Sequence, residues 1–329
     1  MTKSLIIGTG SSLPDKIITN DDLAKIVDTN DEWISVRTGI KSRRVTNAQE
    51  STSDLAIAAA VKALEAANIR ANSLDLIIVA TSSPDYLNFP STACIVQEKL
   101  GAKCAAFDLS AACSGFVYAL TVGSQFIDSG MYKNVLVIGA DALTKFLNWE
   151  DRNTCVLFGD GAGAVVLQRN DKSDDGILSS YLAADGSGAD ILINPGGGAR
   201  NPINEDIIKR KENYIQMDGK SVFRFSIKVI VEGIEKVLEK ANLLKKDIDF
   251  LIPHQANIRI IDHAVAKLGL SPSQVYVNIQ DYGNTSAATI PIALDEAVRK
   301  GKLKKEMIVV TIGFGAGLTW GSNVIRWGY

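Results

Sequence analysis

Three short stretches carry side chains that could do chemistry together. Residues 110–116 read Ser-Ala-Ala-Cys-Ser-Gly-Phe, setting Cys113 among very small neighbours, after the apolar run Ala105-Ala106-Phe107-Asp108-Leu109 and ahead of a helical pattern. A thiolate is a good nucleophile, a helix N-terminus lowers a thiol pKa, and small neighbours leave room for a substrate to approach. The bland alternative is a buried structural cysteine, and Cys94, Cys104 and Cys155 take that reading. His254 lies in Leu-Ile-Pro-His-Gln-Ala-Asn, at the end of a buried strand, poised for hydrogen bonding or proton transfer. The second of the chain's two histidines, His263, sits among Ile260, Ile261, Val265 and Leu268 on a helix and is assigned to structure. Gly283-Asn284-Thr285-Ser286-Ala287-Ala288 leads into a helix, either as an N-cap or as an amide donating to a developing negative charge. Gly313-Phe314-Gly315-Ala316-Gly317 follows the last long strand, where it is either a turn or a place for backbone N–H groups to approach a ligand.

Other chemistries are excluded by spacing. Gly159-Asp160-Gly161-Ala162-Gly163, Gly196-Gly197-Gly198 and Gly8-Thr9-Gly10-Ser11 match neither the phosphate-loop nor the dinucleotide fingerprint. The four cysteines form no C-x-x-C pair, so no metal site is expected. They are also too few in 329 residues to suggest a disulfide framework. With 46% hydrophobic and 22% charged residues the chain is globular, and a net charge of −2 gives no global field for nucleic acid or lipid. The first ten residues hold too short an apolar run for a signal peptide, and no apolar stretch is long enough to span a bilayer. A reduced, cytoplasmic protein without nucleic-acid or membrane partners is the expectation.

The elements that must position these groups alternate between two periods. Residues 76–80, 135–139, 165–167, 250–252 and 308–312 are continuous apolar runs, which predict strands covered on both faces between helices. Ser51-Thr52-Ser53-Asp54 has the pattern of a capping box, opening an Ala-rich helix that runs to about Asn68. The chain also repeats itself: Lys62, Leu64, Glu65, Ala67 and Asn68 recur in order as Lys236, Leu238, Glu239, Ala241 and Asn242, and Asp75 recurs as Asp249. Lys99-Leu100-Gly101 recurs as Lys267-Leu268-Gly269. Such a collinear series predicts a duplicated α/β unit, with halves 1–172 and 173–329 meeting in the polar stretch 170–176. A pseudo-twofold axis would bring the Cys113 turn to the Asn284 turn, with His254 ending a strand nearby, at the strand ends where α/β proteins place their sites.

Together these stretches resemble the β-ketoacyl-acyl-carrier-protein synthase III family of the thiolase superfamily. The resemblance is carried by Asp-Glu-Trp-Ile-Ser-Val-Arg-Thr-Gly-Ile (31–40), the Cys113 stretch, Phe-Gly-Asp-Gly-Ala-Gly (158–163), Pro-His-Gln-Ala-Asn (253–257), Gly-Asn-Thr-Ser-Ala-Ala (283–288) and Gly-Phe-Gly-Ala-Gly (313–317), in the family's order along the whole chain. It implies a five-layer αβαβα thiolase-like fold with two pseudo-twofold-related halves, a homodimer, and a Cys113–His254–Asn284 triad. Cys113 would take an acyl group from acyl-CoA. Decarboxylative condensation with malonyl-acyl-carrier protein would follow, giving 3-oxoacyl-carrier protein, CoA and CO₂ and opening type II fatty acid synthesis, with no cofactor beyond the substrates.

The same resemblance distributes the remaining roles. Backbone N–H groups of Cys113 and Ala316 would hold the oxyanion, Ala316 standing where many relatives have glycine. Trp33 and Arg152 would sandwich the adenine of CoA, Arg37 and Arg259 would meet phosphates, and Thr38, Gly219 and Asn257 would line the pantetheine tunnel. Phe314 would keep the site dry, and Leu143, Phe158 and the other subunit's Phe89 position would line the acyl pocket. Arg224, Arg259 and Lys267 would dock the acidic carrier. The segment 194–217 is longer and more charged than usual, and no pocket residue is assigned to it. The rivals are a starter-unit synthase of a secondary pathway with the same triad and a non-catalytic binding subunit, which the presence of Cys113 disfavours. A hydroxymethylglutaryl-CoA-synthase-like role would need an acidic base near Cys113, for which the sequence offers no candidate.

Overall fold

A computed structural model describes residues 3–329. Met1 and Thr2, which open the segment read above as too short for a signal peptide and the half 1–172, lie outside the described residues. The elements that build the two sheets and their covering helices are β1 (Lys3–Ser12), α1 (Asp31–Thr38), α2 (Thr52–Ala67), β2 (Leu76–Ala80), α3 (Thr92–Lys99), β3 (Ala105–Leu109), α4 (Gly115–Asp128), β4 (Asn134–Asp141), β5 (Gly161–Asn170), β6 (Gly176–Ala184), α5 (Gly219–Ala241), β7 (Phe250–Pro253), α6 (Ile258–Leu268), α7 (Thr289–Arg299), β8 (Ile308–Gly315) and β9 (Thr319–Arg326). Every apolar run expected to be a strand is one, and the expected helix starts and stops where its caps place it. Ser51 accepts from the Asp54 N–H in a full capping box, and Asn68 ends the helix in the left-handed conformation.

One sheet has the order β1-β5-β4-β2-β3 and the other β7-β8-β9-β6. The first is made wholly from residues before the 171–175 connection and the second from residues after it. Helices α4 and α7 lie between the sheets, and one apolar cluster joins both: Phe116, Leu120 and Ile290 meet Ile78 and Val137 on one side and Ile252, Val309 and Ile325 on the other. Helices α2 and α3 cover the outer face of the first sheet, and α5 and α6 that of the second. The result is the expected five layers, helix–sheet–helix–sheet–helix.

The repeat seen in the sequence is a repeat of structure. Helices α2 and α5 both end on an asparagine at positive φ, Asn68 at 52° and Asn242 at 56°. Asp75 and Asp249 do the same job in each half: the side chain of Asp75 accepts from the Asn134 N–H at 3.0 Å, and that of Asp249 from the Ile308 N–H at 2.8 Å. Each aspartate thus fixes the parallel register of neighbouring strands, β2 with β4 and β7 with β8. The halves are not identical. Where β3 closes the first sheet, the second has only a bridge between Leu251 and Val275. Helix α2 sits unusually close to its sheet, since a Cβ on Gly8 or Gly10 would stand 2.4 Å from a carbonyl oxygen of Ala63 or Ala59. Among the described residues no helix is long and apolar enough to cross a membrane.

Candidate active site

The turn that carries Cys113 leaves β3 and enters α4 through a short 3-10 segment, Ala112–Ser114. Ala112 has φ +46°, a left-handed backbone that costs a non-glycine residue roughly 1–3 kcal/mol. The neighbouring chain holds it there. A Cβ on Gly315 would lie 2.8 Å from the Cys113 Cβ, and one on Gly313 would lie 3.0 Å from the Ser114 Cα. The glycines at the end of β8 therefore admit the cysteine turn itself, rather than only a ligand. The Ser114 and Thr319 hydroxyls donate to the Ala111 carbonyl at 2.7 and 3.0 Å and lock the approach. The corresponding turn of the second half packs against this one. It has the same backbone, with Ser286 at φ +51° in the place of Ala112.

Burial governs the thiol. Removal from water pushes Cys113 up to about 12, the Asp141 carboxylate acts in the same direction, and the Ser286 hydroxyl and the cysteine's own amide act against it. The lowered pKa expected from the helix terminus is not what burial leaves here. Ser286 Oγ is close enough to Cys113 and Asp141 to act on both. It nevertheless reaches hydrogen-bonding geometry with neither, so it is a buried hydroxyl without a partner.

Asp141 was not foreseen. It ends β4, fully buried, close to the cysteine for which no acidic neighbour was expected. Its oxygens are committed. Oδ1 accepts from the Ser82 and Ser83 N–H groups at 2.7 and 3.0 Å and from the Ser83 and Thr81 hydroxyls at 2.8 and 3.1 Å. Oδ2 accepts from the Ala287 N–H at 3.2 Å. A carboxylate so occupied ties the 81–83 turn to the Asn284–Ala288 turn and does not serve as the base that a hydroxymethylglutaryl-type reaction needs.

His254 follows β7, its N–H donating to the Ile312 carbonyl at 2.8 Å. The ring stands edge-on to Phe314, with centroids 5.2 Å apart. It is 1% exposed, and burial pulls its pKa down to about 3, so the imidazole is neutral. Asn284 is anchored through its backbone, donating to the Leu157 carbonyl at 2.8 Å and accepting from the Gly159 N–H at 3.1 Å. Its side-chain Oδ1 accepts from the Ser286 N–H at 2.8 Å. The N-cap reading does not hold, since the 3-10 turn Ser286–Ala288 and α7 are capped at Thr285 and Ala288 without a side-chain bond; the Asn284 oxygen makes a local turn instead, which leaves its amide nitrogen as the group that can donate.

Cys113, His254, Asn284 and Phe314 line one cavity, together with Gly219 and Asn257. A second cavity opens on the other side of the sulfur, lined by Leu143, Phe146, Phe158, Leu192, Ile215 and Ala316. Cys113 and Phe158 border both. Ile215 comes from the segment for which no pocket residue was named. Its N–H donates to the Phe146 carbonyl at 3.0 Å, and the same segment carries ion pairs, Lys211 with Glu150 at 2.6 Å and Arg210 with Glu212 at 2.8 Å. The signal that could have found Ile215 is its position as a hydrophobic residue closing a charged loop.

The first cavity continues into a wide surface cleft lined by Trp33, Arg37, Thr38, Arg152, Gly219, Arg224, Asn257 and Arg259. The arginines of residues 37 and 152 lie over the Trp33 ring, 4.6 and 4.8 Å from its centroid. Thr38 and Asn257 also serve the scaffold: the Thr38 hydroxyl donates to the Ile34 carbonyl at 2.7 Å, and Asn257 Nδ2 donates to the Arg37 carbonyl at 3.0 Å. Two expected residues stand apart. Lys267, in the last turn of α6, is exposed and borders no cavity described here. Phe89 is 83% exposed and lines neither chamber of its own chain. Among the described residues no three His, Cys, Asp or Glu side chains are grouped to hold a metal.

Comparison with known proteins agrees along the whole chain. A family model described as 3-oxoacyl-[acyl-carrier-protein] synthase III matches residues 107–186, and its C-terminal counterpart matches residues 238–327. The β-ketoacyl-[acyl-carrier-protein] synthase III of Caldanaerobacter subterraneus subsp. tengcongensis is 57% identical over 98% of this chain and 97% of its own. That of Clostridium acetobutylicum is 54% identical over 98% of each. The crystal structure of 3-oxoacyl-[acyl-carrier-protein] synthase III from Aquifex aeolicus superposes with a TM-score of 0.91 at 48% identity, covering 98% of this chain and 100% of that one.

Proposed function

The chain belongs to the β-ketoacyl-[acyl-carrier-protein] synthase III family, and from that premise we propose how its own residues carry out the initiating condensation of fatty acid synthesis. It is an acyltransferase and condensing enzyme with the thiolase-type fold, acting with acyl-CoA and acyl-carrier-protein substrates. The roles of individual residues are our reading. Cys113 attacks the thioester carbonyl of acyl-CoA. The new S–C bond replaces the bond to the CoA sulfur, which leaves with the thiol proton, and the acyl-cysteine remains as a covalent intermediate. The N–H groups of Cys113 and Ala316 face the oxyanion. The acyl chain lies in the second cavity, against Leu143 and Phe158. CoA is held by Trp33, Arg37, Arg152 and Arg259 in the surface cleft, its pantetheine passing Thr38, Gly219 and Asn257.

Malonyl-carrier protein then takes the emptied tunnel, its acidic surface met by Arg224, Arg259 and Lys267. Loss of CO₂ places negative charge on the malonyl thioester oxygen. Asn284 Nδ2 and His254 Nε2 donate to that oxygen while the carbanion attacks the acyl-cysteine and expels Cys113 as a thiolate, which takes up a proton from solvent to return to the thiol. A neutral histidine suits this step, because decarboxylation itself generates the carbanion and no strong base is required. The observation that carries the reading is the convergence of Cys113, His254 and Asn284 on one cavity, with the asparagine oxygen already occupied.

The finer settings are part of the same proposal. The chain is a cytoplasmic homodimer without metal or organic cofactor, built of duplicated halves 1–172 and 173–329. Exposed Tyr86, Leu87 and Phe89 support a self-association surface, which sedimentation would test against twice the 35.3 kDa of one chain. Intact-protein mass after exposure to a panel of acyl-CoAs tests the chemistry. One acyl group should be gained by the wild type and none by Cys113→Ala, and malonyl-carrier protein should then discharge it as a 3-oxoacyl product. Failure of every acyl-CoA to label the wild type would overturn the assignment of Cys113.

A further inference from the structure

His254 and Thr289 meet in a way that restricts where protons can sit. His254 Nδ1 and Thr289 Oγ1 are 2.6 Å apart, and both residues are buried. The same Oγ1 is 3.0 Å from the Ser286 carbonyl oxygen. A threonine hydroxyl has one proton to give. If it goes to the carbonyl, Nδ1 must carry the imidazole hydrogen, and Nε2 keeps a lone pair and can only accept. If it goes to Nδ1, the hydrogen sits on Nε2, which can then donate.

Two observations decide between these arrangements. The Ser286 carbonyl does not need the hydroxyl, because it already accepts from the Thr289 backbone N–H. Asn284 has its oxygen fixed and presents an amide donor, so a second donor beside it completes a site for negative charge, whereas an acceptor there would repel the charge. We infer that Thr289 is a positioning residue: its hydroxyl donates to His254 Nδ1 and thereby keeps the ring hydrogen on Nε2, where the malonyl thioester oxygen takes it. The inference rests on the reading of His254 as a condensation residue. Thr289 touches no substrate. It acts at the first position of α7, a helix packed between the two sheets, so the ring's protonation is tied to the rigid middle layer.

The chain has two histidines, so ¹⁵N-histidine spectra contain two ring systems, and His263→Gln assigns them. The wild type should show His254 with a protonated Nε2 and an unprotonated Nδ1. Thr289→Val removes the hydroxyl at nearly constant shape and should abolish this single tautomer. It should slow malonyl-carrier decarboxylation at least tenfold, approaching the roughly 10²–10³ that loss of one such donor costs. Acyl transfer from acyl-CoA to Cys113 should stay within about twofold of wild type in that variant, since this donor acts only at the later step. Thr289→Ser keeps the hydroxyl and should restore both tautomer and rate. Hydrogen on Nδ1 in the wild type would overturn the inference, as would a valine variant that keeps the Nε2–H form or decarboxylates at the wild-type rate. His254→Ala separates the two levels: normal decarboxylation without the imidazole would remove the condensation reading itself, while the spectra alone decide the Thr289 contact.

Discussion

Burial keeps Cys113 a thiol. Its folded pKa is raised above that of a free cysteine, so the thiolate is scarce at neutral pH and grows as pH rises toward 12. Alkylation of Cys113 by iodoacetamide in the resting enzyme should therefore climb through pH 9 and 10 without levelling. Peptide mass spectrometry separates it from the exposed Cys94. A plateau reached below pH 8 would show that the helix end overrides burial. At this scale the sequence was legible where a polar residue follows an apolar strand, as at Cys113 and His254, or opens a helix, as at Asn284. It was silent on Asp141 and Thr289, whose meaning lies in partners far along the chain. Asp141 takes its donors from residues 81–83 and 287, and Thr289 is read only through His254.

The elements were more legible than the contacts between them. Period and caps placed the strands and α2, because continuous apolar runs and a capping box are local signals. How closely α2 settles on β1 was not local, since it depends on Gly8 and Gly10 meeting the backbone of residues 59–67. A methyl on Gly10 meets backbone atoms that cannot turn aside. Gly10→Ala should therefore cost more than the ~1 kcal/mol expected for the cap variant Ser51→Ala, by about 1–3 kcal/mol as an overpacked contact. Urea unfolding of the two variants checks this, and equal losses would mean that the helix can lift. The charged segment 194–217 behaves in the opposite way, burying Ile207 and sending Ile215 to the second cavity. Ile215→Ala enlarges the second cavity and should shift acyl-CoA preference toward chains longer than the wild type favours, measured as the ratio of kcat/KM values across straight-chain acyl-CoAs. An unchanged ratio would place the limit at Leu143 or Phe158.

At the scale of the molecule, duplication sets two equivalent turns face to face, and the halves then part in role. One turn holds Ala112 and the proposed nucleophile Cys113, the other Ser286 and the proposed amide donor Asn284. A repeat in the sequence was enough to expect that meeting. The missing fifth strand of the second sheet was not legible, because an isolated bridge at Val275 and a full strand present similar apolar runs.

The place of Cys113 and Phe158, on the border of two chambers, has a consequence for traffic. On the proposed reading the acyl chain has a room of its own, but the arms that deliver it and that bring the malonyl group must queue at the same door. The departing carrier has to clear the passage before the next can enter, so the order of events is imposed by plumbing rather than by any signal. Free CoA should then compete with malonyl-carrier protein for the acylated enzyme, raising its apparent KM in initial-rate measurements and leaving kcat untouched. A fall in kcat at saturating carrier would mean that a second entrance exists.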